Sequence, residues 1–195
     1  MPLALGVAAR IQERAPEDVV HDPTHLANAL RDLVDACEPD GVPVATPATL
    51  TAHGQASVTA VATDTAVEAT RRLRASMGDR LVLVACLPGA AATEGGCTGL
   101  LDLGKAFLAA GADVIVVLDD AGAAGAPLDT LGNIARFHQA LALGTMEEYG
   151  LPLVRRQPLT APVAGAGVVL TDVDLPRDTD VTAVTDWVHA VRGTS

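Results

Sequence analysis

The stretch that decides the fold is Phe107-Leu108-Ala109-Ala110-Gly111-Ala112-Asp113-Val114-Ile115-Val116-Val117-Leu118-Asp119-Asp120. Leu100, Leu103, Phe107 and Leu108 recur at helical spacing, and Gly111 closes that helix. The run that follows is apolar at every position, which predicts a strand over 113–118 inside a parallel sheet covered on both faces. Two carboxylates, Asp119 and Asp120, stand at its C-terminal end. A helix feeding such a strand is half of a βαβ unit.

The same grammar extends in both directions. Upstream, residues 81–87 form a second continuous apolar run, read as another buried strand. Thr65-Ala66-Val67-Glu68 matches a capping box and predicts a helix from there to about Met77, stopped by Gly78-Asp79. Residues 47–63 lack a period and read as a loop with a short strand near 58–61. Asp22-Pro23-Thr24 starts a helix carrying Leu26, Leu30, Leu33 and Val34, which Pro39-Asp40-Gly41 ends before a short strand over 42–46. A first helix is expected over 7–14. Downstream, Ile134, Phe137 and Leu141 predict a helix reaching Tyr149, followed by a weak strand over 151–155 and a better one over 167–171. Asp180 caps a last helix striped by Val181, Val184, Val188 and Val191. Alternating helices and strands, without repeat or linker, predict one α/β domain over 1–195 with a mainly parallel sheet and right-handed crossovers.

Composition narrows the function classes. The chain has 195 residues, 49% of them hydrophobic but only 2% aromatic, so the core is built from Ala, Val and Leu. A formal charge of −11 repels phosphate backbones and anionic lipid surfaces, which argues against nucleic acid and membrane partners. No apolar run is long enough for a transmembrane helix. The start, Met1-Pro2-Leu3-Ala4-Leu5-Gly6, has no basic region of the signal-peptide kind. Three widely spaced cysteines, Cys37, Cys86 and Cys97, suit reduced thiols, and a cytoplasmic location is expected.

Three segments in order resemble the uroporphyrinogen decarboxylase and corrinoid-linked methyltransferase family, a (β/α)8-barrel group. The first is Val67-Glu68-Ala69-Thr70-Arg71-Arg72-Leu73-Arg74, continuing through Gly78-Asp79 and residues 81–89; it is similar to the family's helix that feeds a strand ending in a Pro-Gly loop. The second is Phe107 through Ile115 with Asp119, similar to the family's "aGAD" turn and acid-tipped strand. The third lies within 169–191, including Leu175-Pro176-Arg177-Asp178-Thr179, similar to the closing strand, "P-x-D-T" loop and last helix. Residues 21–42 resemble an early family helix more loosely. The resemblance implies a truncated or irregular (β/α) barrel, because a full one needs ~200–250 residues. An incomplete barrel leaves a strand edge open, so a homodimer or a partner subunit covering that edge is expected. The five or six strands counted also suit an open, flavodoxin-like sheet.

The departures from the family bear on chemistry. No arginine-rich loop matches near Arg10 and Arg14, the strand tip Val44-Ala45-Thr46-Pro47 carries no carboxylate, and the only tyrosine is Tyr149. Uroporphyrinogen decarboxylation itself is therefore not expected. Zinc or a corrinoid is implied by the methyltransferase branch, but the His-x-Cys pair is absent and the closing strand reads Leu170-Thr171-Asp172. Cys86, Cys97, His53 and Glu94 are candidate zinc ligands whose spacing does not demand a site; Cys86 as a buried strand residue is the plainer reading.

Barrel sites lie at strand C-termini, so Asp119 and Asp120 are the first candidates for acid–base or ligand-orienting groups, with His53 as a possible general base. Glu94 and Gly89 belong to a glycine-rich loop able to approach a ligand closely. Asp172 and Asp174 follow the closing strand and belong at the same mouth. Arg155 and Arg156 follow a weak strand, where a carboxylate could be held. Gly165-Ala166-Gly167 precedes a strand, the wrong context for a dinucleotide fingerprint. Two readings stay open: a divergent enzyme with lyase or methyl-transfer chemistry on a small acidic or cofactor-borne ligand, and a non-catalytic binding or assembly subunit.

Overall fold

The computed structural model of the chain describes residues 1–50, 58–118, 128–160 and 168–193. Short N-terminal helices α1 (Leu5–Ile11) and α2 (Pro16–Val20) lead into α3 (Pro23–Cys37), whose N-cap Asp22 accepts from the backbone nitrogens of Thr24 and His25 at 2.7 and 3.0 Å. Strand β1 (Gly41–Ala45) follows, then a single turn α4 (Pro47–Leu50) and the long helix α5 (Ala60–Met77). Strand β2 (Val82–Pro88), helix α6 (Gly96–Ala110) and strand β3 (Val114–Leu118) form the central βαβ unit. Helix α7 (Asp129–Phe137), strands β4 (Leu141–Gly144), β5 (Arg155–Gln157) and β6 (Val169–Thr171), and helix α8 (Val181–Arg192) complete the described order.

The sheet is parallel, as continuous apolar strands separated by helices require. Its order is β1-β2-β3-β4, with Ala85 opposite Ile115 and Ile115 opposite Ala142. Side chains then divide by the strand period of two. Val42, Val44, Leu83, Ala85, Leu87, Ile115, Val117 and Ala142 face the helices and pack with residues such as Leu30, Leu33, Leu73, Phe107 and Leu131. Val84, Cys86, Val114, Val116, Leu118 and Leu143 face the other way. That second face is closed over by Val154, Leu170 and Leu3. The strand order runs without reversal, so this sheet lacks the switch point of a flavodoxin-like arrangement.

Beyond β4 the parallel succession continues in fragments. Gly144 and Leu153 form a parallel bridge, β5 pairs with β6 in a separate two-stranded sheet, and residues 1–3 hydrogen-bond along β6. In that last contact the Thr171 nitrogen donates to the Met1 carbonyl at 3.3 Å and the Leu3 nitrogen to Thr171 Oγ1 at 2.9 Å. The sheets are not closed into a barrel. Pro43 sits in β1 beside a register shift, a place a proline can take because β1 is an edge and needs no further N–H donor there.

Several expectations are corrected. Helix α5 opens at Ala60, where the Thr59 side chain accepts from the Ala62 nitrogen at 3.3 Å. Thr65 lies more than a turn inside it, and Glu68 instead pairs with Arg71 and Arg72 at 3.3 and 3.0 Å on the exposed face. The capping-box pattern fits an interior helical turn as well as a start, which is why it misplaced the boundary. The helix expected to reach Tyr149 stops at Phe137: Gln139 adopts a left-handed backbone, and Leu141-Ala142-Leu143-Gly144 is a strand. Helix α6 begins at Gly96, before its apolar stripe.

The "aGAD" turn has a structural explanation. Gly111 ends α6 in the left-handed region, φ 99°, which favours glycine. The guanidinium of Arg74, reaching across from α5, donates to the Gly111 carbonyl from Nε and Nη2 at 3.1 and 2.8 Å and also pairs with Asp113. Asp113 in turn accepts from the Leu83 nitrogen at 2.8 Å. One carboxylate thus ties α5, β2 and the start of β3 together at the N-terminal end of the sheet.

Candidate functional site

At the opposite, C-terminal end, Thr46-Pro47-Ala48-Thr49 makes a compact turn off β1. Thr with Pro one place later is a helix-start pair. Thr46 Oγ1 accepts from the Thr49 nitrogen at 3.3 Å, while Thr49 Oγ1 accepts from the Thr46 nitrogen at 2.8 Å and donates to the Thr46 carbonyl at 2.9 Å. With that acceptor role filled, the Thr46 hydroxyl proton is directed outward, and it reaches Asp174 Oδ2 at 3.0 Å.

Asp174 comes from the loop after β6, and that loop is pinned on both sides of it. Thr171 Oγ1 donates to the Val173 carbonyl at 2.9 Å, and the Leu175 nitrogen donates to the Leu3 carbonyl at 2.6 Å. Gly6 of α1 lies against the same loop: a Cβ there would stand 3.0 Å from the Arg177 nitrogen and 3.1 Å from the Leu175 carbonyl oxygen. Only glycine lets α1 approach so closely.

The second carboxylate oxygen, Oδ1, is buried and has no hydrogen-bond partner among the described residues. Burial pushes the Asp174 carboxyl above the usual aspartate range, and the Thr46 hydrogen bond holds part of that back. A carboxylate oxygen buried without a partner costs stability, so in a native protein it calls for a reason. The half-buried Asp174 side chain belongs to the wall of a cavity of about 200 Å³ whose other walls include Leu5, Val20, His21, Thr49, Ala62 and Leu175. The walls are mainly apolar; His21, which ends α2, stands exposed at the rim. This combination can receive a small ligand, orient it by one carboxylate, and exchange a proton with it.

The residues singled out from the sequence fall in different places. Asp119, Asp120 and His53 lie outside the described residues. Gly89 is buried at the end of β2; its nitrogen donates to the Leu118 carbonyl at 3.1 Å and its carbonyl accepts from Thr93 Oγ1 at 3.0 Å, so its backbone groups serve the fold. Glu94 is exposed, in a separate cleft of about 310 Å³ between the start of α5 and α6 that it shares with Asp64 and Asp102. Asp172 follows β6; its nitrogen donates to the Gln157 carbonyl at 2.9 Å and its carbonyl accepts from the Arg156 guanidinium. Arg155 is exposed on β5, while Val154 and Arg156 on either side are more buried. Of these candidates Gly89, Glu94, Asp172 and Arg155 do not line the cavity, and Asp174, named with Asp172 after the closing strand, does. Asp174 was visible in the sequence as a carboxylate after the closing strand. Its partner Thr46 was not, because a pairing across 128 positions leaves no local signal.

Among the described residues the candidate zinc ligands do not come together. Cys86 is fully buried in the apolar cluster beneath the sheet, where burial pushes its thiol up to about 12, and the nearby Asp174 charge acts in the same direction. Cys97 sits half-buried in the first turn of α6. Among the described residues no three His, Cys, Asp or Glu side chains gather as metal ligands. Likewise among the described residues, no helix is long and apolar enough to cross a membrane. Compared with known protein families and with curated proteins, the sequence finds no match.

Proposed function

We propose that the chain is a small-ligand-binding protein of the shortened (β/α) barrel kind, similar to the uroporphyrinogen decarboxylase-like family, with Asp174 as the carboxylate that orients and protonates or deprotonates its ligand. The observation that carries this reading is the Asp174 side chain in the wall of a mainly apolar cavity at the C-terminal end of parallel strands, with one carboxylate oxygen held by Thr46 and the other buried without a partner among the described residues. The unreversed strand order and the apolar cluster common to both sheets support an arc of a barrel. Of the two chemistries the resemblance implies, lyase-type proton transfer is the one a buried carboxylate can serve. Thiol methylation would need a zinc donor set that the described residues do not assemble.

The test is a thermal-shift screen of small organic acids, amides and amines on the parent chain and on Asp174→Asn. Compounds that stabilise the parent are expected to lose that effect in the variant. A variant that keeps every ligand-induced shift overturns the assignment.

A second reading, an assembly subunit, is favoured by one feature. Between β4 and β5 the described chain contains no crossover helix, and around this corner Phe137, Leu141 and Leu153 are 85%, 55% and 52% exposed. They flank a cleft of about 320 Å³ lined by Arg136, Ala142, Leu151 and Pro152. A second copy covering this corner would bury it.

A further inference from the structure

Resting on the second reading, in which another copy covers the corner after β4, we propose that the two copies meet there through α7 packed antiparallel on its two-fold mate, with Asp129 of each against the partner's Arg136. The chain has two phenylalanines, one tyrosine and one tryptophan. Phe107, Tyr149 and Trp187 are buried, whereas Phe137, at the end of α7, is 85% exposed. Leu141 and Leu153 are exposed at the same corner. The neighbouring cleft of about 320 Å³ is walled mainly by Gly132, Ala140, Leu141, Ala142, Leu151 and Pro152. A protruding ring and a receiving cleft on one face are what a two-fold contact needs, since each copy supplies both halves.

Charge selects a second copy as the occupant. Asp129 opens α7 and Arg136 lies two turns further on, so helical spacing puts both on one stripe. Both are exposed and both line the cleft. Asp129 borders the Gly150 end, where a Cβ on Gly150 would stand 3.2 Å from Oδ1. Arg136 hydrogen-bonds to its neighbour Asn133, a neutral acceptor. A stripe with an acid at one end and a base at the other complements a copy of itself running the opposite way. Each Arg136 then exchanges an amide for a carboxylate, the stronger acceptor, and the two helix dipoles oppose. The formal charge of −11 on each copy works against association, but salt screens it beyond ~8 Å, and the paired side chains lie inside that range. The apolar contact is small beside the ~800 Å² per partner of a standard interface, so the dimer is reversible, with a Kd on the order of 10 μM.

Sedimentation velocity at about 0.15 M salt, over concentrations bracketing that Kd, tests the pairing. The parent is expected to pass from monomer to dimer. Phe137→Asp, Asp129→Lys and Arg136→Glu, each folded by circular dichroism, should weaken the dimer about tenfold or more. An equimolar mixture of Asp129→Lys and Arg136→Glu should dimerise again, because the two reversals complement each other across the two-fold. A parent dimer that Phe137→Asp abolishes but both reversals leave intact overturns the α7 pairing while keeping the corner as the interface; so does a mixture of the two reversals that stays monomeric. A parent that is monomeric throughout, or a dimer indifferent to Phe137→Asp, overturns the reading of the corner and this inference with it.

Discussion

Thr46 and Asp174 are 128 residues apart in sequence, yet the hydroxyl of one lies 3.0 Å from the carboxylate of the other. The contact joins the C-terminal ends of β1 and β6, strands of two different sheets. It is also lopsided: Oδ2 is satisfied and Oδ1 is not. Asp113 accepts from both Arg74 and the Leu83 nitrogen through Oδ2, with its side chain partly open to solvent, whereas Asp174 keeps Oδ1 buried without a partner among the described residues.

The imbalance predicts a stability signature. Burial raises the Asp174 pKa above its ordinary 3.8, so the folded chain holds a proton over a range where the unfolded chain has released it. As pH rises through that range the folded state binds more protons than the unfolded state, and stability falls. Asp174→Asn escapes this cost. It should unfold at higher denaturant at pH 7, by about 1 kcal/mol, the usual scale of stability gained by removing a functional group. The gain should shrink to nothing below pH 3.8, where the parent carboxyl is protonated in both states. Urea titrations at pH 3 and pH 7 measure both; a variant less stable than the parent at pH 7 would make Asp174 a structural residue.

Thr46→Val removes the donor to Asp174 and the acceptor for the Thr49 nitrogen while keeping the side-chain shape. The loss of two buried bonds should cost about 1–3 kcal/mol. It should also move the Asp174 titration, followed by the carboxyl carbon resonance, further upward, because the Thr46 bond is what now lowers it.

The thiols should separate by reactivity. Cys86 and Cys37 are buried with raised pKa values, while Cys97 is partly accessible. Alkylation under native conditions, read by peptide mass spectrometry, should mark Cys97 first and leave Cys86 unlabelled until the chain unfolds. Early labelling of Cys86 would mean that the apolar cluster beneath the sheet opens readily.

At the other end of the sheet, Asp113→Ala should cost about 1.5–3 kcal/mol, since it frees the Leu83 nitrogen and one side of the Arg74 guanidinium. Arg74→Lys should rescue little, because an ammonium cannot span Gly111 and Asp113 with the same fork. Ligand affinity at the Asp174 cavity should be unchanged in Asp113→Ala, provided it is measured where that variant is folded.

The sequence carried the central unit clearly. Residues 81–87 and 113–118 are apolar on both faces, and both are strands of the parallel sheet. Asp180 caps α8 as its position before the valine stripe implies, with its side chain accepting from the Thr182 nitrogen at 3.0 Å. Strand β4 was hidden because Leu141-Ala142-Leu143-Gly144 is too short to show a period and follows a helical stripe in phase with Leu141. The start of α5 was hidden because Thr59 and Thr65 offer equivalent capping chemistry. For the site, a carboxylate after β6 was legible from position alone. That it is Asp174, latched by Thr46 beneath a cavity closed by Gly6 and Leu175, depends on contacts between distant segments that no local pattern records.

Nitrogen–proton correlation spectra of the labelled chain, recorded against a library of small fragments, test the central claim most directly. The account predicts that binding fragments shift the amides of Gly6, His21, Thr49, Asp174 and Leu175 together. Fragments that bind only at the α7–β4 cleft, moving Gly132, Ala142 and Leu151 while the Asp174 loop stays silent, would contradict it.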